Sequence, residues 1–300
     1  MRAMGAVLLA SGLSVAAPSA WAQERVAVAD PWSFRVLGGY AHQFETNIDG
    51  GGDLTVDRAL VNVGASYAFD RRTSAGVTLA YRFDSFDFGG NAGFAALRPW
   101  SDVHELQLSA PLRRPLGERV DAFVTPQIAW SAETRAGFGD AFTGGAIGGA
   151  AYRINDDLAL GAGVGIFSEI EDDASIFPIL IIDWRLSPTL SLTTTPSTGL
   201  TRGPTLNANW RPIEAWTFTL GGGYENYRFR LDRDDGVGQE KAFPVYAAAS
   251  FEPQPGFVGS LVAGMALGGQ VRFEDRDGRL IAKEDYDPAP FLGVSLRARF

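Results

Sequence analysis

The chain has 300 residues, 46% of them hydrophobic, with 36 Gly, no Cys and a formal net charge of −9. The lack of cysteine excludes a disulfide framework, a thiolate metal site, a cysteine nucleophile and a lipidated amino-terminal cysteine. The acidic balance argues against a nucleic-acid partner, because phosphate binding needs a basic face and the 26 Lys plus Arg form no extended run.

The first segment reads as a targeting sequence. Arg2 supplies a positive n-region, Met4 to Ala17 is uncharged and apolar or small, and Ala20-Trp21-Ala22 before Gln23 fits the cleavage rule. Residues 1–22 are therefore expected to be a cleaved signal peptide, and 23–33 a short periplasmic tail. Beyond this point the most apolar run, Ile176 to Ile182, is far shorter than the roughly 20 residues a helical span needs, and it contains Pro178.

From residue 34 to 300 the pattern has period two. Ala59, Val61, Val63, Ala65, Tyr67 and Phe69 alternate with Arg58, Asn62, Gly64 and Ser66; Leu60 and Ala68 break the polar face. Ala75, Val77, Leu79, Tyr81 and Phe83 alternate with Ser74, Gly76, Thr78, Arg82 and Asp84. Phe257 to Phe273 on odd numbers alternates with a face that is small and then polar, ending in Gln270, Arg272 and Glu274. Segments of this length exceed ordinary strands and match the roughly 9 to 11 residues of a tilted membrane-spanning strand.

The breaks between strands are of two kinds. Short ones fall at Asp70 to Thr73, Arg113 to Gly117, Asn155-Asp156, Ser187-Pro188, Pro212 to Glu214 and Pro253 to Gly256. Longer ones are expected at Glu45 to Asp57, Ser85 to Asp102, Glu133 to Asp140, Ser168 to Ser175, Thr195 to Gly203, Asp232 to Lys241 and Asp275 to Asp287. Alternating tight turns and longer loops predict an all-β, antiparallel up-and-down transmembrane barrel of about 14 strands. The number becomes 12 if Thr189 to Thr194 and Pro204 to Arg211 do not span. Tyr67, Phe69, Trp184, Trp210, Trp216, Phe218 and Phe251 sit near the short turns, where rings form an interfacial girdle.

The last ten residues place Leu292, Val294, Leu296, Ala298 and Phe300 on one face. This resembles the final strand of Gram-negative outer-membrane β-barrels. The resemblance implies an outer-membrane location among phospholipid and lipopolysaccharide, and an assembly signal at Val294, Leu296 and Phe300 read by the barrel assembly machinery. Pro204 to Trp210 and Gly222 to Arg230 resemble a family of outer-membrane barrels without an assigned function.

Strand parity nominates the lumen lining: Arg58, Arg82, Asp84, Glu105, Asp121, Asp183, Arg185, Glu225, Arg272, Arg297 and Arg299. Such rows either line an open pore that orients a passing solute or form a salt-bridged interior that fills the barrel. Inward glycines, among them Gly64, Gly76, Gly161 and Gly163, favour space.

Enzymatic chemistry has little support. His42 and His104 are the two histidines, no Gly-x-Ser-x-Gly elbow occurs, and parity turns His104 outward near the external membrane edge. The acidic tips Asp232 to Gly236 and Glu274 to Gly278 miss the calcium-loop spacing and read as solvated hairpin ends. No metal or cofactor is expected. The sequence thus predicts a porin-like transport barrel passing small polar solutes or ions, or else a non-transporting structural or surface-interaction barrel acting through its external loops.

Overall fold

The computed structural model describes residues 30–137, 139–195 and 198–300; the expected signal peptide and most of the tail lie outside them. Seventeen hydrogen-bonded segments form one sheet: β1 Trp32–Asn47, β2 Asp53–Ala68, β3 Ser74–Gly89, β4 Asp102–Ser109, β5 Leu112–Pro115, β6 Val120–Glu133, β7 Phe142–Arg153, β8 Leu158–Glu169 and β9 Asp172–Ser187. They continue as β10 Leu190–Thr193, β11 Thr205–Ile213, β12 Trp216–Gly223, β13 Glu225–Arg230, β14 Val237–Gln254, β15 Phe257–Glu274, β16 Leu280–Tyr286 and β17 Ala289–Arg299. β4 with β5, β12 with β13, and β16 with β17 are each one strand with a local break, so the barrel has 14 strands. Pro111 and Pro288 supply two of the breaks, since proline has no amide proton for the ladder. Among the described residues no helix is long and apolar enough to cross a membrane; the chain crosses with strands.

β1 closes the barrel. It pairs antiparallel with β2 through Arg35↔Gly64 and with β17 through Arg35↔Arg299, and Phe34 and Phe300 exchange backbone hydrogen bonds of 3.0 and 2.9 Å. Closure pairs the amides that an open sheet would leave exposed at its edges, which membrane-spanning sheets require. The outward face is a band of exposed Val, Leu, Ile and aromatic side chains, while the inward face carries the polar row. At the turn end Trp32, Tyr67 and Phe69 stack edge to face at 5.1 and 5.0 Å, and Trp216 meets Phe251 at 4.9 Å, as a girdle requires.

Three expectations change. The external connections are shorter than the polar stretches suggested: Ser168 to Ser175 reduces to a turn at Ile170 and Glu171, and Glu45 to Asp57 to residues 48–52. The ladder continues through both stretches, across one register shift in each, so composition misjudged where it stops. The connection after β10 is not an external loop. Residues 198–203 of it run inside the barrel, with Thr198, Thr201 and Arg202 all buried.

The third change concerns β15. Gly268 has φ +56°, and the register slips there from Phe243↔Leu267 to Lys241↔Gln270. One extra residue inverts the strand's faces. Val271 and Phe273 therefore continue the inner face begun by Ala266, and Arg272 lies on the opposite face, beside Glu274 and across from Gln239.

Candidate functional site in the lumen

The inner face is organised in three levels. Near the external end β2, β3 and β4 contribute Leu54, Val56, Phe86 and Val103, and the connection after β3 contributes Phe94 and Trp100. β13 leaves the wall and crosses the opening, bringing Tyr227 and Phe229 onto this cluster; Phe229 lies 6.0 Å from Phe86 and 5.3 Å from Trp100. Its other face is held from the far side. Arg228 donates to the Ile170 carbonyl at 2.8 Å and to Glu274 Oε2 at 2.8 Å, and Arg230 donates to the Asp140 carbonyl at 3.0 Å. The result is an apolar layer across the external end, since every aromatic there packs against another.

Directly beneath lies a charged layer. The registers Arg58↔Asp84 and Arg82↔Glu105 put four charges in adjoining inner rows. Arg202, on the inward-folded connection, completes the layer: Nη1 is 2.7 Å from Asp84 Oδ2, Nε is 3.5 Å from Glu105 Oε2, and the guanidinium lies 3.9 Å from the Tyr227 ring centre. Its backbone amide donates to Glu225 Oε1 at 2.8 Å. Arg58 reaches Glu240 Oε1 at 2.7 Å, and the Tyr286 hydroxyl donates to the same oxygen at 3.1 Å. Asp84 and Glu105 are 2% and 5% exposed, a burial that charge tolerates only with partners this close.

Two cavities of about 50 Å³ each border this layer. One is lined by Glu105, Gln127, Ser131, Glu169 and Arg228; the other by Gln43, Arg58, Leu200, Thr201 and Phe291. In the second, Gln43 Nε2 and Thr201 Oγ1 are buried with no hydrogen-bond partner among the described residues, and the volume is sufficient for water.

The turn-side level differs in kind. Asp121 sits amid Arg72, Arg113 and Arg153 at 3.1, 3.6 and 3.9 Å. Arg35, Arg297 and Arg299 share the inner face of the closing seam, and Arg185 bonds Asp157 at 3.2 Å beside the half-buried Asp183. These side chains are mostly half exposed, in contrast to the sealed layers above.

The sequence-nominated residues thus fall into separate groups. Arg58, Arg82, Asp84, Glu105 and Glu225 come together in the charged layer. Asp121, Asp183, Arg185, Arg297 and Arg299 occupy the turn side, and Arg272 is displaced by the bulge. Arg202 and Glu240 were missed because both fall in stretches whose polar composition reads as external loop. Both histidines face outward at the wall: His42 Nδ1 is 2.7 Å from Asp57 Oδ1, and His104 contacts the Tyr81 hydroxyl at 2.8 Å and Thr134 Oγ1 at 2.9 Å. Val294, Leu296 and Phe300 are exposed on the outer face of β17 and just beyond it.

No family model and no curated protein matches the chain. Among solved structures, the COG4313 outer membrane channel from Pseudomonas putida F1 superposes with a TM-score of 0.52 at 14% identity, covering 93% of this chain and 98% of that one. A Pseudomonas aeruginosa FadL homologue gives 0.49 at 12% identity, and the P. putida toluene transporter TodX gives 0.46 at 10%, each over 90% of both chains. The chain has the fold of an outer-membrane β-barrel.

Proposed function

We propose that this protein is an outer-membrane channel for small polar solutes or ions, held closed in the conformation described by the charged layer and the aromatic layer above it. The observation that carries the reading is the asymmetry of the lumen. A barrel that served only as a filled structural body gains most by packing its whole interior evenly, whereas here the largest packed cluster lies at the external end, two smaller ones centre on Ile147 and Tyr246, and half-exposed charges such as Arg35, Asp183 and Arg297 line the turn end. Opening then requires Thr198 to Gly203, or the β13 crossing, to move away from Asp84 and Phe86.

The outward girdles fit a belt of phospholipid and lipopolysaccharide, and Val294, Leu296 and Phe300 supply the terminal face that the barrel assembly machinery reads. A second reading, a non-transporting barrel acting through its external loops, draws support from the closed layers themselves. Single-channel recording of the mature, detergent-folded protein in a planar bilayer separates the two. Discrete conductance steps are expected. A silent bilayer, with insertion verified by heat-modifiable migration, would favour the structural reading.

A further inference from the structure

We propose that the cavity between the inward-folded connection and the wall at β1 is a binding site for a small neutral amphipathic molecule, one that carries an amide or hydroxyl head on an apolar body of a few atoms. Such a site gives the channel reading its solute class, and it rests on that reading only for the route, since binding does not require conduction.

The inner positions of β1 that precede the cavity, Leu37, Gly39 and Ala41, are apolar or small, and the connection packs against them through Gly199 and Leu200. Gln43 breaks this row. It is 4% exposed, and its Nε2 has no hydrogen-bond partner among the described residues. Thr201, 5% exposed on the connection, lines the same cavity, and its Oγ1 is equally unpartnered among the described residues. A buried polar atom without a partner is unfavourable, and an apolar side chain at either position would carry no such cost. Two such atoms on one enclosed space point to a molecule that supplies their partners.

Size and lining restrict that molecule. The cavity holds about 50 Å³. One water needs roughly 10–15 Å³ by the same measure, so the space admits about three or four non-hydrogen atoms. Water alone fits the lining poorly. A buried water makes about three hydrogen bonds, whereas Leu200, Val262, Ala266 and Phe291 border the space and offer it no side-chain partner. The charged residues of the lining are already engaged: Arg58 is held by Glu240 Oε1 at 2.7 Å and Asp84 Oδ2 at 3.4 Å, and Glu225 accepts the Arg202 amide at 2.8 Å and lies in the field of Arg82. The unmet hydrogen bonds are therefore those of the neutral pair, and a charged guest would lose more hydration than they return. An amide or hydroxyl head accepts from Gln43 Nε2 and donates to Thr201 Oγ1, while its carbon body meets Val262 and Phe291.

Acetamide is the probe. Saturation-transfer NMR of the refolded mature protein in deuterated detergent should show saturable transfer to acetamide, and none to acetate, its charged analogue, or to sucrose, which is too large. Gln43→Leu and Thr201→Val, which nearly conserve volume, should each weaken acetamide binding about three- to tenfold, the loss of one neutral hydrogen bond. Thr201→Ser keeps the hydroxyl and should bind within about twofold of wild type. The urea midpoint without probe should stay level or rise in Gln43→Leu and Thr201→Val, because each removes an unpaired polar group. Lowered midpoints with acetamide binding unchanged would overturn the site and make the pair a water-bonded structural element. Absence of transfer in correctly migrating protein would overturn it as well, as would equal transfer to acetate. Conductance steps in a bilayer without acetamide binding would remove the site and leave the channel reading standing. A silent bilayer with binding retained would remove the channel reading alone.

Discussion

Arg202 Nη1 lies 2.7 Å from Asp84 Oδ2, an ion pair between side chains 4% and 2% exposed that ties an inward-folded connection to the wall of β3. The pair fixes Thr201 and Gly203 inside the lumen and sets the Arg202 guanidinium over Tyr227. Its removal bears on both stability and passage.

Arg202→Ala should leave Asp84 facing Arg58, whose Nη1 is 3.4 Å from Asp84 Oδ2. Breaking one side of a buried pair costs about 3–5 kcal/mol, because the remaining charge stays desolvated. A lowered urea midpoint for the refolded barrel is expected, together with longer or larger conductance events. An unchanged midpoint and an unchanged current record would show that the connection is not a closing element. The double variant with Asp84→Asn should recover part of the lost stability, since the orphaned charge is gone.

The architecture is legible in the sequence and the site is not, and both facts have the same origin. Alternation along β2, β3 and β17 reports which face meets lipid, because lipid accepts only apolar side chains, and that is enough to predict the girdles, the strand number and the closing strand. Parity also brought Arg58, Asp84, Arg82 and Glu105 to one face, since register follows from alternation. It failed at Arg272, where one extra residue at Gly268 inverts the strand and no local signal beyond the glycine marks it. Arg202 was invisible for a different reason. Thr198 to Gly203 is polar and irregular whether it faces water outside or charges inside, and only long-range contacts with Asp84 and Glu105 decide between them.

Leu200 offers a way to displace the connection without touching its charges. A Cβ added at Gly39 would stand 2.7 Å from Leu200 Cδ2, and its nearest backbone neighbour, the Val294 carbonyl oxygen, is at 3.3 Å. Gly39→Val should therefore push Leu200 out of its seat while β1 stays paired. The chain has no cysteine, so a single Thr201→Cys reports access cleanly. Thiol labelling at that position is expected to be slow in the parent and at least about tenfold faster with Gly39→Val, as a site moved from buried to exposed. Equal labelling rates would mean that the wall yields instead of the connection.

Phe229 anchors the apolar layer from the crossing segment β13. It is fully buried against Phe86, Trp100 and Tyr227. Phe229→Ala should cost about 3–5 kcal/mol at this end of the barrel, the usual range for a large-to-small change in a packed core. Loosening should be local, because the fully paired strands of the membrane region do not depend on it. Hydrogen exchange is expected to rise in residues 225–242 and to stay unchanged in β2 and β3. Uniform loss of protection would instead make the aromatic layer a determinant of the whole fold.

Phe300 separates assembly from stability. Its side chain is 77% exposed on the outer face, whereas its backbone amide and carbonyl close the seam against Phe34. Phe300→Ala keeps both backbone bonds and removes a ring that rests in the interfacial belt, so the refolded barrel should lose little, about 1 kcal/mol or less. If the ring is part of the signal read during insertion, the yield in the outer membrane of cells should fall several-fold while refolding in detergent proceeds normally. Equal yields in cells would place the assembly signal elsewhere on the terminal strand, with Val294 and Leu296 as the next positions to change. A matching loss in both settings would make the residue a structural anchor, and its effect on cells would follow from instability.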